Sequence, residues 1–423
     1  MIKKLIYISV VCICSYFIYC YVSPNNINTR ASITPTILLS VDGFSNYYLK
    51  QYAPKNIIKL AQDGVKAKAL LPVFPSKTFP NHISMVTGNY PINHGVIHNK
   101  FYNRALDKNY KLGLGKEDPK WLLSETLWSI AEKNNLKTAI YFWPESEVNT
   151  LKYKPSYLKP YQHSTPNKHR FDQIIKWLTL PVGERPSLIL GYFSTIDSAG
   201  HDYGTKSKEL KKAIEDFDLL LGEFITDLKQ TVGDEVNLVL VSDHGMVDIS
   251  PKTIRYAHLF KDINVMSDIR IVDGQTQLYV YLPEIEQHKE EQLVSIIKGR
   301  LTENEQAFVK VYRFDHYPEH WHFNRRTAVM PNLILEALPP YIFGKHKENS
   351  KATHGYDVKL NSALNAIFIA NGPDFKQGVE VEPFENIFVF PMVLSLLGLE
   401  PPKNVDAINN ILLPVLTHKE IHQ

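Results

Sequence analysis

Cysteine is almost missing from this chain. All three, Cys12, Cys14 and Cys20, fall within the first 20 of 423 residues. The rest therefore has neither a disulfide nor a thiolate, which excludes zinc fingers, thiol redox motifs and cysteine nucleophiles. Any metal site must use aspartate, histidine and hydroxyl groups. A dominant charge is missing too: 47 Lys and Arg face 44 Asp and Glu, for a net +3. The two signs are interspersed, so nothing marks polymeric nucleic acid as a partner. Internal repeats and low-complexity tracts are absent. A phosphate loop is lacking as well, because Gly113-Leu114-Gly115-Lys116 has no upstream glycine and Glu117 replaces the required hydroxyl residue.

What is present begins with an export pattern. Lys3-Lys4 precedes an apolar run from Leu5 to Val22, and Ser23-Pro24-Asn25-Asn26 follows. This reads as a cleaved signal peptide or, since the run approaches the ~18 residues of a membrane span, an uncleaved anchor. The expected location is periplasmic or extracellular, with residues 23–423 as the catalytic domain. Downstream, strands and helices alternate, which predicts an α/β fold with a mostly parallel central sheet flanked by helices on both faces. The expected strands are Thr36–Val41, Thr138–Phe142, Ser187–Phe193, Val236–Ser242 and Ala366–Ala370; the expected helices are Pro54–Asp63, Ser124–Asn134, Lys206–Gln230 and Phe388–Leu397. From about Thr253 to His346 short β-like runs and a helical piece, Glu290–Arg300, indicate a small inserted α+β subdomain.

Three of the expected strands run into metal-ligand types of residue. Thr36–Val41 leads to Asp42, Ser187–Phe193 to Asp197 and His201, and Val236–Ser242 to Asp243-His244. Ligands bind at the carboxyl ends of strands in open α/β sheets, so these residues can meet. Thr78 precedes Pro80, which suits a helix's first turn, and is either a plain N-cap or a hydroxyl nucleophile in positive potential. One hydroxyl, three aspartates and three histidines, counting His354, are equipment for metal-assisted phosphoryl transfer. Residue types alone leave zinc, manganese and other divalent ions open.

Six ordered motifs carry a resemblance: Asp42-Gly43-Phe44, Phe74–His82 (FPSKTFPNH), Thr87–Gly95 (TGNYPINHG), Asp197–Gly204 (DSAGHDYG), Ser242–Met246 (SDHGM) and His354–Asp357 (HGYD). Together they resemble the nucleotide pyrophosphatase/phosphodiesterase family of the alkaline phosphatase superfamily, over about residues 36 to 400. The resemblance implies two Zn2+ ions, one held by Asp42, Thr78, Asp243 and His244, the other by Asp197, His201 and His354. It implies Thr78 as nucleophile forming a covalent intermediate, and Asn99 as hydrogen-bond donor to a phosphoryl oxygen. Phe79, Trp143 and Tyr192 would stack a nucleobase or enclose another group, and Glu147 would meet an amine or a ribose hydroxyl. The implied substrate is a small nucleotide or phosphodiester, with no protein partner. Vertebrate members carry disulfides and extra domains that are lacking here, which implies a compact bacterial-type member. A choline-phosphodiester or phospholipase C-like hydrolase would use the same mechanism. A phosphomonoesterase fits less well, because no arginine lies in the motifs and the nearest is Arg104. A non-catalytic metal-bound protein would be expected to lack a ligand or the nucleophile. His82 and His94 read as structural hydrogen-bonding residues, and His320 and His322 receive no role.

Overall fold

The computed structural model describes residues 33–148, 152–263, 268–344, 349–409 and 411–417. The expected signal or anchor at 1–22 lies outside them. Among the described residues no helix is long and apolar enough to cross a membrane.

Eight strands form the central sheet: β1 (Thr36–Val41), β2 (Val65–Ala67), β3 (Thr138–Tyr141), β4 (Tyr157–Lys159), β5 (Leu188–Phe193), β6 (Asn237–Val241), β7 (Phe368–Asn371) and β8 (Val379–Val381). Their spatial order is β8-β2-β7-β6-β1-β5-β3-β4. All neighbours run parallel except β7, which is antiparallel to both β6 and β2. β1, β5 and β6 are near-continuous apolar runs because both faces of the sheet are covered.

On one face, Ile37, Leu39 and Val41 pack with helices α1 (Lys55–Asp63), α4 (Asn167–Leu178) and α6 (Lys208–Val232). α6 buries Leu210, Ile214, Phe217, Leu221, Phe224 and Leu228, a spacing of three and four that keeps one stripe against the sheet. Its start is capped by Ser207, whose hydroxyl accepts from Leu210 N at 3.1 Å. Asp218, midway along it, caps another helix: its carboxylate accepts from Ile57 N at 2.8 Å and Asn56 N at 3.1 Å at the start of α1. On the other face lie α2 (Thr78–Thr87), α3 (Leu127–Lys133) and α7 (Val389–Leu396), with α7 packing on both of the others. Ser40, alternating away from Leu39, holds α2 to this face through a 2.7 Å bond between its Oγ and His82 Nε2.

The stretch from Thr253 to His346 contains a four-stranded antiparallel sheet, ordered Arg270–Asp273, Gln277–Tyr281, Leu333–Ala337, Val309–Arg313. Glu290–Arg300 packs on it through Leu293 and Ile297. The expected strands and helices recur with ends shifted by a few residues, where the last residues turn out of the ladder.

Candidate active site

β1, β5 and β6 are parallel neighbours, so their carboxyl ends lie side by side. Asp42 follows β1 directly. β5 leads through Ser194 into helix α5 (Thr195–Tyr203), on which Asp197 and His201, four apart, share a face. β6 leads through Ser242 to Asp243 and His244. Close approach of the β1 turn to α5 depends on Gly43, at φ 70: a Cβ there would lie 2.8 Å from Asp197 Cα. His354 arrives on a separate segment, carried in by the antiparallel pairing of Ala352–Thr353 with Val247–Asp248. Thr78 is the first residue of α2; Lys77 holds the cap position, with no side-chain capping bond. The Thr78 hydroxyl is thus not spent on capping, and its Oγ1 lies 3.4 Å from His244 Nε2.

Two groups of ligand atoms result. Asp42, Asp243 and His244 converge within 4.8 Å of one another, as do Asp197, His201 and His354. The rings of His244 and His354 stack with centroids 3.5 Å apart and planes 13° apart, so the groups adjoin. The three imidazoles are oriented alike. Nδ1 of His201 lies 2.8 Å from Ala352 O, that of His354 2.8 Å from Ser76 O, and that of His244 3.0 Å from Gly245 O. A carbonyl oxygen only accepts, so each Nδ1 carries the proton and each Nε2 offers its lone pair to the site.

Two of the carboxylates are prepared in the same way. Asp243 Oδ1 accepts from Gly43 N at 3.2 Å and His244 N at 3.0 Å, and Asp42 Oδ2 accepts from the Tyr192 hydroxyl. What remains is Asp243 Oδ2, Asp42 Oδ1 and Asp197 Oδ1, all buried without a hydrogen-bond partner. They face the free imidazole nitrogens: His244 Nε2 is 2.9 Å from Asp243 Oδ2 and 3.4 Å from Asp42 Oδ1, and Asp197 Oδ1 is 3.5 Å from His201 Nε2 and 3.8 Å from His354 Nε2. Buried acceptors aimed at buried lone pairs are costly unless a cation sits between them. The donor set of carboxylate oxygen and imidazole nitrogen therefore fits two divalent metals, zinc among them.

The electrostatics agree. Burial, then the charges of Asp243 and Asp197, push the Asp42 carboxyl well above its ordinary range. Burial, then His244, Lys77 and His201, push His354 well below its own, which keeps it in the neutral form a metal requires.

A cleft of about 490 Å³ opens over these groups. Asp42, Thr78, Asp197, His201 and His354 lie at its base, and Phe79, Asn99, Trp143, Glu147 and Tyr192 line it. Asn99 Oδ1 accepts from Phe79 N at 3.0 Å, which leaves the Asn99 amide N–H groups as the free end. Tyr192 and Trp143 also make bonds that hold the site's surroundings: the Tyr192 hydroxyl donates to Asp42, and Trp143 Nε1 donates to His82 O at 3.2 Å. Glu147 accepts from Tyr161 N at 2.8 Å. His82, bonded to Ser40 and with Nδ1 2.9 Å from Thr78 O, braces the start of α2. His94 bonds Ser84 Oγ, and burial pushes it down to about 3. Leu112, Lys116, Glu145, Tyr161 and His163 also line the cleft and were not anticipated. They sit on loops without periodicity, and the one available signal was an exposed-type aromatic, Tyr161, shortly after Trp143.

Residues 36–357 match the model of the type I phosphodiesterase / nucleotide pyrophosphatase family. The chain belongs to this family of hydrolases. It is 34% identical over 384 residues to venom phosphodiesterase 2 of Crotalus adamanteus, covering 88% of this chain and 46% of the relative. With human ectonucleotide pyrophosphatase/phosphodiesterase family member 1 it shares 33% identity over 405 residues, 92% of this chain and 43% of the relative. It thus spans less than half the length of these relatives. The structure of murine ectonucleotide pyrophosphatase/phosphodiesterase 5, an inactive variant in complex with AMP, superimposes with a TM-score of 0.80 at 24% identity, covering 91% of this chain and all of that one. The alkaline-phosphatase-like α/β fold expected from the sequence is the fold found.

Proposed function

We propose that this chain is an exported, zinc-dependent phosphodiesterase/pyrophosphatase that cleaves nucleotide phosphodiester or pyrophosphate bonds to release nucleoside monophosphates. The observation that carries this reading is the meeting of three partnerless carboxylate oxygens with three free imidazole nitrogens beside the uncapping hydroxyl of Thr78. Two zinc ions held by Asp42, Thr78, Asp243 and His244 and by Asp197, His201 and His354 would acidify the hydroxyl and clamp the phosphoryl oxygens. Thr78 Oγ1 attacks phosphorus, its bond to phosphorus forming as the bond to the leaving oxygen breaks. The resulting threonyl diester is hydrolysed by water, which restores the hydroxyl. The Asn99 amide donates to a phosphoryl oxygen, and Phe79, Trp143 and Tyr192, with Glu147 nearby, bound the retained group. AMP in the murine homologue supports a nucleotide as that group. Residues 1–22 would deliver the enzyme to the periplasm or exterior, cleaved or retained as an anchor.

The test is product analysis by mass spectrometry with zinc-loaded protein offered ATP, a dinucleotide, a choline phosphodiester and a phosphomonoester. AMP and pyrophosphate from ATP are expected. Turnover of the choline diester alone would move the substrate to head-group diesters with the mechanism retained. No turnover with zinc bound would leave a binding protein.

A further inference from the structure

The insertion supplies none of the candidate metal ligands, yet one of its turns reaches both halves of the site. That turn is Glu319–Trp321. Trp321 is 1% exposed, and its indole lies on the Phe74 ring with centroids 3.7 Å apart and planes 2° apart. Phe74 opens the short segment that ends at Thr78. From the other side, Trp321 Nε1 donates to Asp357 Oδ2 at 2.9 Å, and His320 Nε2 lies 2.6 Å from the same oxygen. Asp357 stands three residues after His354. Its backbone N donates to Glu336 Oε1, on the insertion's own strand, at 3.3 Å. The insertion therefore grips the Asp357 segment at both main chain and side chain.

The two gripped segments also hold each other. Ser76 Oγ donates to Tyr356 O at 2.7 Å and accepts from Gly355 N at 3.0 Å, while Ser76 O accepts from His354 Nδ1 at 2.8 Å. Trp321 closes this into a ring of contacts: Phe74, Trp321, Asp357, His354, Ser76 and back to Phe74. Stacking fixes one distance and a charge-assisted hydrogen bond fixes the other. Such a ring matters because an in-line attack tolerates little error in the placement of nucleophile and metal ligands.

We propose that Trp321, assisted by His320, is a positioning residue through which the insertion sets the separation between Thr78 and His354. This rests on the roles assigned above to those two residues. A tryptophan that merely filled the core would affect folding but not the chemistry of the folded enzyme.

The test compares Trp321→Phe, which keeps the stack and loses the N–H, and Trp321→Leu, which loses both, with the parent. Each is measured for kcat and KM on a diester, rate of zinc loss to a chelator, and melting temperature. For Trp321→Phe the expected result is a kcat lower by about tenfold, the small end of effects seen when groups behind metal ligands are removed, with KM held and zinc lost faster. Trp321→Leu is expected to go further in the same direction. A folded Trp321→Phe protein with parental kcat and parental zinc loss overturns the proposal, as does a fall in melting temperature alone; that variant decides the matter if Trp321→Leu fails to fold. Thr78→Ala is run alongside. If Thr78→Ala retains turnover, the nucleophile assignment has failed, whereas an inactive Thr78→Ala with unaltered Trp321 variants rejects only the strut.

Discussion

At the residue scale, the site is defined by atoms left over. Asp42, Asp243, His201, His244 and His354 each have one end tied by an ordinary hydrogen bond and the other directed at a partner that cannot donate to it. Strand-end position and motif made Asp42, Asp197, Asp243 and His244 legible in the sequence, but not the second contacts: nothing local to Tyr192 foretold its bond to Asp42, 150 residues away. Replacing His354 with Gln should remove one of the two imidazoles of the proposed second site, leaving Asp197 and His201. Metal analysis is expected to show about one ion bound instead of two, with turnover falling by at least roughly 10- to 100-fold. Two ions bound at parental affinity would refute that ligand assignment. Glu336 offers a separate test. Burial, then the Asp357 charge, push it up to about 8 from an ordinary 4.5. Folding thus favours its protonated form. The contribution is complete below the unfolded value and is lost as pH rises through the folded one. Glu336→Gln should therefore flatten the dependence of melting temperature between about pH 5 and pH 8 and exceed the parent's stability above that range. An unchanged pH profile would contradict it.

At the scale of elements, β1, β5 and β6 were readable because apolar runs bounded by polar residues suit strands covered on both faces. α6 was readable from its three-and-four spacing. Loops were not: Lys111–Glu117 and the Tyr161 region build cleft walls from residues whose sequence pattern has no period. Short β-like runs between residues 253 and 346 were readable, but the reach of Trp321 to Phe74 was not, because stacking over 247 positions leaves no local signature. Asp218 shows a similar long-range dependence, capping α1 from the middle of α6. Asp218→Ala should lose about 1–2 kcal/mol, as removal of an N-cap does, without altering kcat of the folded enzyme. Denaturant unfolding with parallel kinetics checks this; an unchanged midpoint would show that α1 needs no cap.

For the whole molecule, carboxylate oxygens buried without a hydrogen-bond partner mean that the proposed metal binding would be linked to folding. Stripping the ions with a chelator should lower the melting temperature, and restoring zinc should recover it. A ligand held at a thousand times its dissociation constant contributes about 4 kcal/mol. A melting temperature indifferent to chelator, with metal shown to be gone, would contradict that linkage. Family membership follows from the match over residues 36–357, whereas the proposed substrate rests on the cleft and on the AMP-bound homologue. The central claim is narrower than either: that Thr78 is the nucleophile of a two-metal site. It is tested most directly by the turnover of ATP by Thr78→Ala at confirmed metal content. The expected result is two bound ions, or one with the second weakened, and no AMP released above background. AMP formed by Thr78→Ala at the parental rate would contradict it.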